Sequence, residues 1–185
     1  FRDNAADTDR RKVLLYRIAA IELLTKDSQE CLKVLAEITN PPSVIVDDIA
    51  LLKAEALKQN GQIDEAIASL GETVQQLEKK AEFYFVREKW AEASASYQKV
   101  LEILDEKDKE HQAKCIYNMT LAYAVGNMKD KLETVKETYG EFMGETKYKD
   151  MFDFLTANTA FHGALTSTEF SKIDNFADNL KKVLS

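Results

Sequence analysis

Apolar residues recur every three or four positions along most of the chain, which is the spacing of helices that bury one face. In the first such stretch Val13, Leu14, Ile18, Ile21 and Leu24 recur at helical spacing, whereas residues 1–8 lack the periodicity and are expected to form a loose lead-in. The predicted helices span residues 9–24, 28–38, 43–59, 63–70, 73–88, 90–104, 109–125, 129–139, 147–157 and 168–183.

Local signals set the predicted ends of these helices. Ser28 and Ser43 are each placed to cap a helix that follows. Pro41 and Pro42 end the second helix, because proline has no amide hydrogen and disfavours a helical residue before it. Asn60-Gly61 supplies a left-handed turn, and a glycine at position 140 is expected to end the helix before it.

Residues 47–104 contain the same unit twice, a helix, a tight turn and a second helix with alanine on its inner face. The two copies share a small residue, a large residue three positions on, an alanine twelve positions on, and a large residue four positions after that alanine. These positions hold Ala54, Leu57, Ala66 and Leu70 in the first copy, and Ala81, Tyr84, Ala93 and Tyr97 in the second.

This spacing resembles the tetratricopeptide repeat (TPR). The resemblance implies an all-α fold, a right-handed α-α solenoid of antiparallel helix pairs. The two alanines at 66 and 93 are 27 positions apart, whereas the repeat has about 34 residues, so we expect an irregular array. Residues 1–144 are therefore assigned to TPR-like repeats. Residues 145–185, which are rich in phenylalanine, are assigned to a C-terminal helical cap of the same domain, because an array needs an atypical terminal unit.

From Ala81 onward the chain also resembles the C-terminal part of long TPR proteins of alphaproteobacteria. Those proteins tend to have an N-terminal export signal, so the resemblance implies a bacterial periplasmic or envelope location, with the cytoplasm as the alternative. The chain starts with Phe1 rather than methionine, and we expect it to be a fragment or a processed product.

Composition and charge exclude several classes of partner. The formal net charge of -7 argues against a nucleic-acid surface, which needs a basic face. No apolar run approaches the roughly 20 residues that cross a bilayer, so no membrane insertion by this fragment is expected.

The sequence offers little catalytic or metal-binding chemistry. His111 is expected to be a solvent-exposed helix residue, and His162 to pack or hydrogen-bond in a loop. We find no Cys, Asp or second His at ligand spacing from either histidine, so no metal site is predicted. Cys31 is expected to be a buried packing thiol, although a disulfide with Cys115 stays open. No nucleophile elbow or phosphate loop is present. We therefore expect no enzyme and no cofactor.

The TPR resemblance implies a non-catalytic protein–protein interaction scaffold that binds a protein or peptide. Its inner-face positions hold Leu51, Glu55, Glu78 and Glu82, which lack the basic residues of a carboxylate clamp. An acidic groove would instead favour a basic partner. The alternative is a structural role, in which the chain is the C-terminal cap of a longer solenoid whose ligand face lies upstream.

One aromatic cluster gives the binding hypothesis candidate residues. Phe83, Tyr84 and Phe85 point in three directions on a helix, about 100° apart. Tyr84 is assigned to the core, and Phe83 or Phe85 to a neighbouring helix or an exposed groove. The predicted partner contacts are Glu55, Glu82 and Phe85, with packing against the adjacent helix as the alternative for the aromatic residue.

Overall fold

In the computed structural model residues 2–157 are described, with side chains from Thr8 onward, and all regular secondary structure in this range is helical. This confirms the all-α class. The helices are α1 (Arg2–Leu24), α2 (Ser28–Ala36), a 3₁₀ turn (Ser43–Ile45), α3 (Val46–Gln59), α4 (Ile63–Ala68), α5 (Val74–Val86), α6 (Trp90–Ile103), α7 (Lys109–Val125), α8 (Lys129–Gly144) and α9 (Lys149–Ala157).

The core consists of three apolar clusters that follow one another along the chain. The first lies between α1, α2 and α3, the second between α3, α4 and α5, and the third between α5, α6, α7, α8 and α9. Helices α3 and α5 each contribute to two clusters. Helices that are not consecutive in the chain also contact each other: α1 packs on α3, α3 on α5, and α7 on α9. Each core is therefore continued by the next through a shared helix.

Helix α7 is the most enclosed element of the third cluster. Ten of its seventeen residues are buried, and they lie on all sides of the helix. It packs against α6, α8 and α9, and Tyr117 stacks on Tyr148 with ring centroids 5.3 Å apart. The C-terminal end of α7 also lies close against the start of α6. A Cβ atom added to Gly126 would stand only 2.8 Å from Cβ of Trp90.

A buried amide on α5, that of Gln76, bonds both to the loop that follows the short α4 and to the start of α3. Gln76, only 4% exposed, accepts a hydrogen bond from the backbone N–H of Gly71 and donates one to Asp47 at the start of α3. A buried amide needs such partners on both its oxygen and its nitrogen. The side chain thus fixes α5 relative to α3, the two helices that carry the predicted contact residues.

Several predicted helix ends are confirmed and others are wrong. Helices α1, α3 and α7 end where expected, and Gly61 has the left-handed φ of +80° that the turn after α3 requires. However, α1 begins at Arg2, because a stretch without proline or glycine continues the helix beyond the apolar pattern. The cap of α2 is Asp27, whose carboxylate accepts from the Glu30 N–H at 2.9 Å.

The predicted stop at position 140 is also wrong. Helix α8 continues through Gly140 to Gly144, since a single glycine lowers helix stability by only about 1 kcal/mol and packing on α7 and α9 offsets this cost. The predicted helix 168–183, His162 and the rest of the predicted cap after α9 lie outside the described residues. Among the described helices, none combines the length and apolar character needed to span a membrane.

Candidate functional site

The two predicted glutamates lie beside one buried phenylalanine, and each is paired with a lysine. On α3, Lys58 Nζ is 3.1 Å from Oε1 of Glu55. On α5, Lys79 Nζ is 2.6 Å from Oε2 of Glu82. Both ammonium groups stand over the ring of Phe83, 5.4 and 5.9 Å from its centroid. We call these four charged residues the α3–α5 strip; it is mixed in charge rather than acidic.

The third predicted contact residue, Phe85, has the environment of a packing residue. Its ring is partly buried against the third cluster, with edge-on contacts to Trp90 at 5.3 Å and Tyr97 at 6.5 Å. The structure therefore joins Glu55 and Glu82 in one strip but directs Phe85 into the next cluster. A contact between Phe85 and a partner stays a prediction.

The assignment of Tyr84 to the core is corrected. Phe83 is 0% exposed and belongs to the second cluster, whereas Tyr84 is only partly buried against it. Helix α5 is covered on two sides, so Phe83 packs in the second cluster and Phe85 packs against the third. The tyrosine lies at the edge of the second cluster, where it lines an open hollow at the surface.

A second group of polar side chains joins α5 to α7. Nε2 of His111 donates to Oε1 of Glu78 at 2.9 Å, and Sγ of Cys115 lies 3.9 Å from the same oxygen. Nδ1 of His111 faces Oδ2 of Asp108 at 3.5 Å. One ligand-type atom from each of Glu78, His111 and Cys115 lies within 4.8 Å of the other two. We call these three residues the Glu-His-Cys cluster.

This cluster is partly closed to solvent, and its thiol is protonated. Burial raises the pKa of the Cys115 thiol to about 12, and the Glu78 carboxylate adds to the rise. Burial also raises the pKa of the Tyr97 hydroxyl, with further contributions from Glu82 and Glu78. Both groups are therefore protonated at neutral pH. The side chains of His111 and Glu78 are 26% and 20% exposed, and Cys115 is 0% exposed.

Cys31 has the environment that the sequence predicts, whereas His111 does not. Cys31 is buried with no exposed surface, as predicted, and both cysteines are free thiols. His111 is half-buried rather than exposed. The statement that no cysteine lies at ligand spacing is wrong for His111, because Cys115 follows it by four residues on the same helix. The sequence contained that signal, but only the fold brings Glu78 to it.

Two open surface hollows lie elsewhere, and neither is lined by the predicted contact residues. One, of about 310 Å³, is formed by residues 127–131 at the start of α8. The other, of about 410 Å³, is lined by Asp64, Ile67, Ala68, Lys80, Tyr84 and Lys89. Lys89 and Arg87 both pair with Asp64 at its edge.

Comparisons of the chain with protein-family models, with curated proteins and with solved structures each found no significant match.

Proposed function

We propose that the chain is a non-catalytic interaction module, a TPR-like solenoid of antiparallel helix pairs that binds a protein or peptide along the α3–α5 strip. The observation that carries this proposal is the serial core, in which α3 and α5 each belong to two clusters. Repeat arrays are built in this way, since each unit buries its apolar face only against its neighbours.

The positions that carry the TPR resemblance support the same proposal. Ala54, Ala66, Ala81 and Ala93 all have 0% exposure, so each allows close approach of helices. The large positions Leu57, Leu70 and Tyr97 are buried too. A chain that stacks helix pairs through small residues leaves the outer faces of those helices free for a partner.

The lysines that pair with the two glutamates of the strip argue against a purely basic partner. Because Glu55 and Glu82 are each neutralised by a lysine, the strip complements a segment that carries both charge signs rather than a purely basic one. Ion pairs at the surface of this kind, with side chains 30–53% exposed, contribute only about 0–1 kcal/mol to stability, so they can exchange for contacts with a partner.

Charge reversal at the strip tests the proposal. We expect peptides selected by the wild-type chain from a random display library to bind the Glu55→Lys, Glu82→Lys variant at least about tenfold more weakly, a loss of about 1.4 kcal/mol. Phe85 is left unchanged, because its replacement would also disturb the core. Titration calorimetry at two salt concentrations measures the affinity and how far salt weakens it by screening the charges.

The matched control is Glu106→Lys, Glu141→Lys, which makes the same change in net charge at two other exposed positions. It should bind the selected peptides as the wild type does. Failure to select any saturable peptide, or equal binding by both double variants, would contradict a binding role for the strip.

A different observation favours the structural alternative, a C-terminal cap of a longer solenoid. On α1, Leu14, Ile18, Ile21 and Leu24 form an apolar stripe at helical spacing, and each is 45–82% exposed. Single exposed apolar residues are common, but a continuous stripe on one helix is the kind of surface that another helix covers. In a longer array, the helix that covers this stripe would be the preceding helix of the same protein.

We expect Ile18→Glu, Ile21→Glu to leave the chain folded and to abolish its binding to a separately expressed upstream segment of the same protein. Burying two carboxylates against an apolar helix costs several kcal/mol, which is enough to prevent docking. Analytical ultracentrifugation of the mixture measures the complex, with Val86→Glu, at an exposed position on α5, as the control. Docking by the double variant would exclude this stripe as the junction.

A further inference from the structure

We propose that the Glu-His-Cys cluster is a transition-metal site that takes Zn²⁺, with one oxygen of Glu78, one ring nitrogen of His111 and the sulfur of Cys115 as the protein ligands. Nitrogen, thiolate sulfur and carboxylate oxygen are the three ligand types that Zn²⁺ uses in proteins. A mixed set of this kind suits Zn²⁺ better than Mg²⁺ or Ca²⁺, which prefer oxygen ligands alone.

Two of the distances within the cluster are close to those of a zinc site, and all three ligand atoms lie within 4.8 Å of one another. Ligand atoms of a tetrahedral zinc site lie about 3.3–3.6 Å from one another, given metal–ligand bonds of about 2.0–2.3 Å. The nitrogen–oxygen separation is 2.9 Å and the sulfur–oxygen separation is 3.9 Å. Each of these two separations therefore needs to change by roughly half an ångström or less for an ion to replace the hydrogens of the two donors. Both donors already point at one carboxylate oxygen, and this convergence is what an inserted cation requires.

Helix geometry holds two of the ligands in place. His111 and Cys115 are four residues apart on α7, so their side chains lie one above the other on a single face. Asp108 caps the same helix and faces Nδ1 of His111, which leaves Nε2 directed at the site. A carboxylate on the second ring nitrogen is the usual orienting partner of a metal-bound histidine.

The surroundings favour a cation and allow it to enter. The carboxylates of Glu78 and Asp108 both act on the Cys115 sulfur, against one opposing ammonium group, that of Lys114. Coordination would release the thiol proton to water, because a metal-bound thiol is deprotonated, and the hydrogen on Nε2 of His111 would be lost to water or, by a change of tautomer, replaced by one on Nδ1 that faces Asp108. His111 and Glu78 are partly exposed, so the fourth position is open to water or to a group on a partner. The bound ion would tie α5 to α7.

Metal titration of the whole chain tests the assignment. We expect one Zn²⁺ per chain by calorimetry, and a thiolate-to-cobalt charge-transfer band when Co²⁺ is the probe. Glu78→Gln, His111→Gln and Cys115→Ser should each weaken Zn²⁺ binding by more than about 100-fold, and Asp108→Asn by about tenfold. Saturating Zn²⁺, at about 100 times its Kd, should raise the Tm of the wild type by about 5–10 °C.

Matched controls separate the cluster from other ligands in the chain. Cys31→Ala and His162→Gln should bind both ions as the wild type does. Glu78→Gln and His111→Gln change partly exposed side chains, so they decide the matter even if Cys115→Ser does not fold. No charge-transfer band in the Co²⁺ complex, or unchanged Zn²⁺ affinity in either of these two variants, would overturn the proposal.

Discussion

Replacement of Phe83 with alanine should lower the free energy of unfolding by about 3–5 kcal/mol, the largest effect we expect from a single substitution in this chain. The ring has no exposed surface and fills the second cluster between α3, α4 and α5. Its removal leaves a cavity that Lys58 and Lys79, which stand over the ring, cannot fill without burying their charges. Urea unfolding followed by circular dichroism measures the loss.

The neighbouring aromatic residue is the matched control. Tyr84→Ala removes a side chain of similar size from the same helix, but the residue is only partly buried, so we expect a loss of about 1–2 kcal/mol. Phe83→Leu, which keeps most of the volume, preserves a measurable transition if the alanine variant does not fold. An equal or larger loss for Tyr84→Ala would mean that the TPR-like position, and not its neighbour, carries the packing of α5.

The second large effect is expected at Ala93, where leucine should lower the free energy of unfolding by about 3 kcal/mol, at the upper end of the range for overpacking. The position on α6 has 0% exposure, and three added carbon atoms must displace a neighbouring helix. The same unfolding experiment measures the change.

Ala95→Leu is the control, because this alanine is exposed on the same helix and the difference in helix propensity is the same. Its effect should stay within about 0.5 kcal/mol. If the two variants lose equal stability, the small residue at position 93 does not set the spacing between helices, and the main support for the repeat-like packing is lost.

Periodicity in the sequence predicts most of the helices but not all of their ends. Helix α7 has the predicted bounds because strong local signals flank it on both sides. A charged break precedes Lys109, and a Gly-Asn turn follows Val125. The start of α1 and the passage of α8 through Gly140 were missed. In α1 the absence of proline and glycine lets the helix continue beyond the apolar pattern, whereas in α8 packing on α7 and α9 outweighs the single glycine.

Sequence reasoning about the candidate sites is limited by distance along the chain. The pairs Glu55–Lys58 and Lys79–Glu82 are three residues apart, so the mixed charge of the strip could have been predicted from helix spacing. Glu78 and His111 are separated by 33 positions, and only the packing of α5, α6 and α7 brings them together. The choice between Phe83 and Tyr84 likewise depends on which sides of α5 are covered.

The enclosure of α7 has a consequence for the way the chain is made. The chain emerges from the ribosome N-terminus first, so α7 emerges before α8 and α9 can cover it. While the emerged chain extends only to about Val125, it exposes apolar side chains of α7 that pack with Met143 and Phe152 in the folded protein. We expect the growing polypeptide to be prone to aggregate during that interval, when a chaperone that recognises apolar helices would bind it.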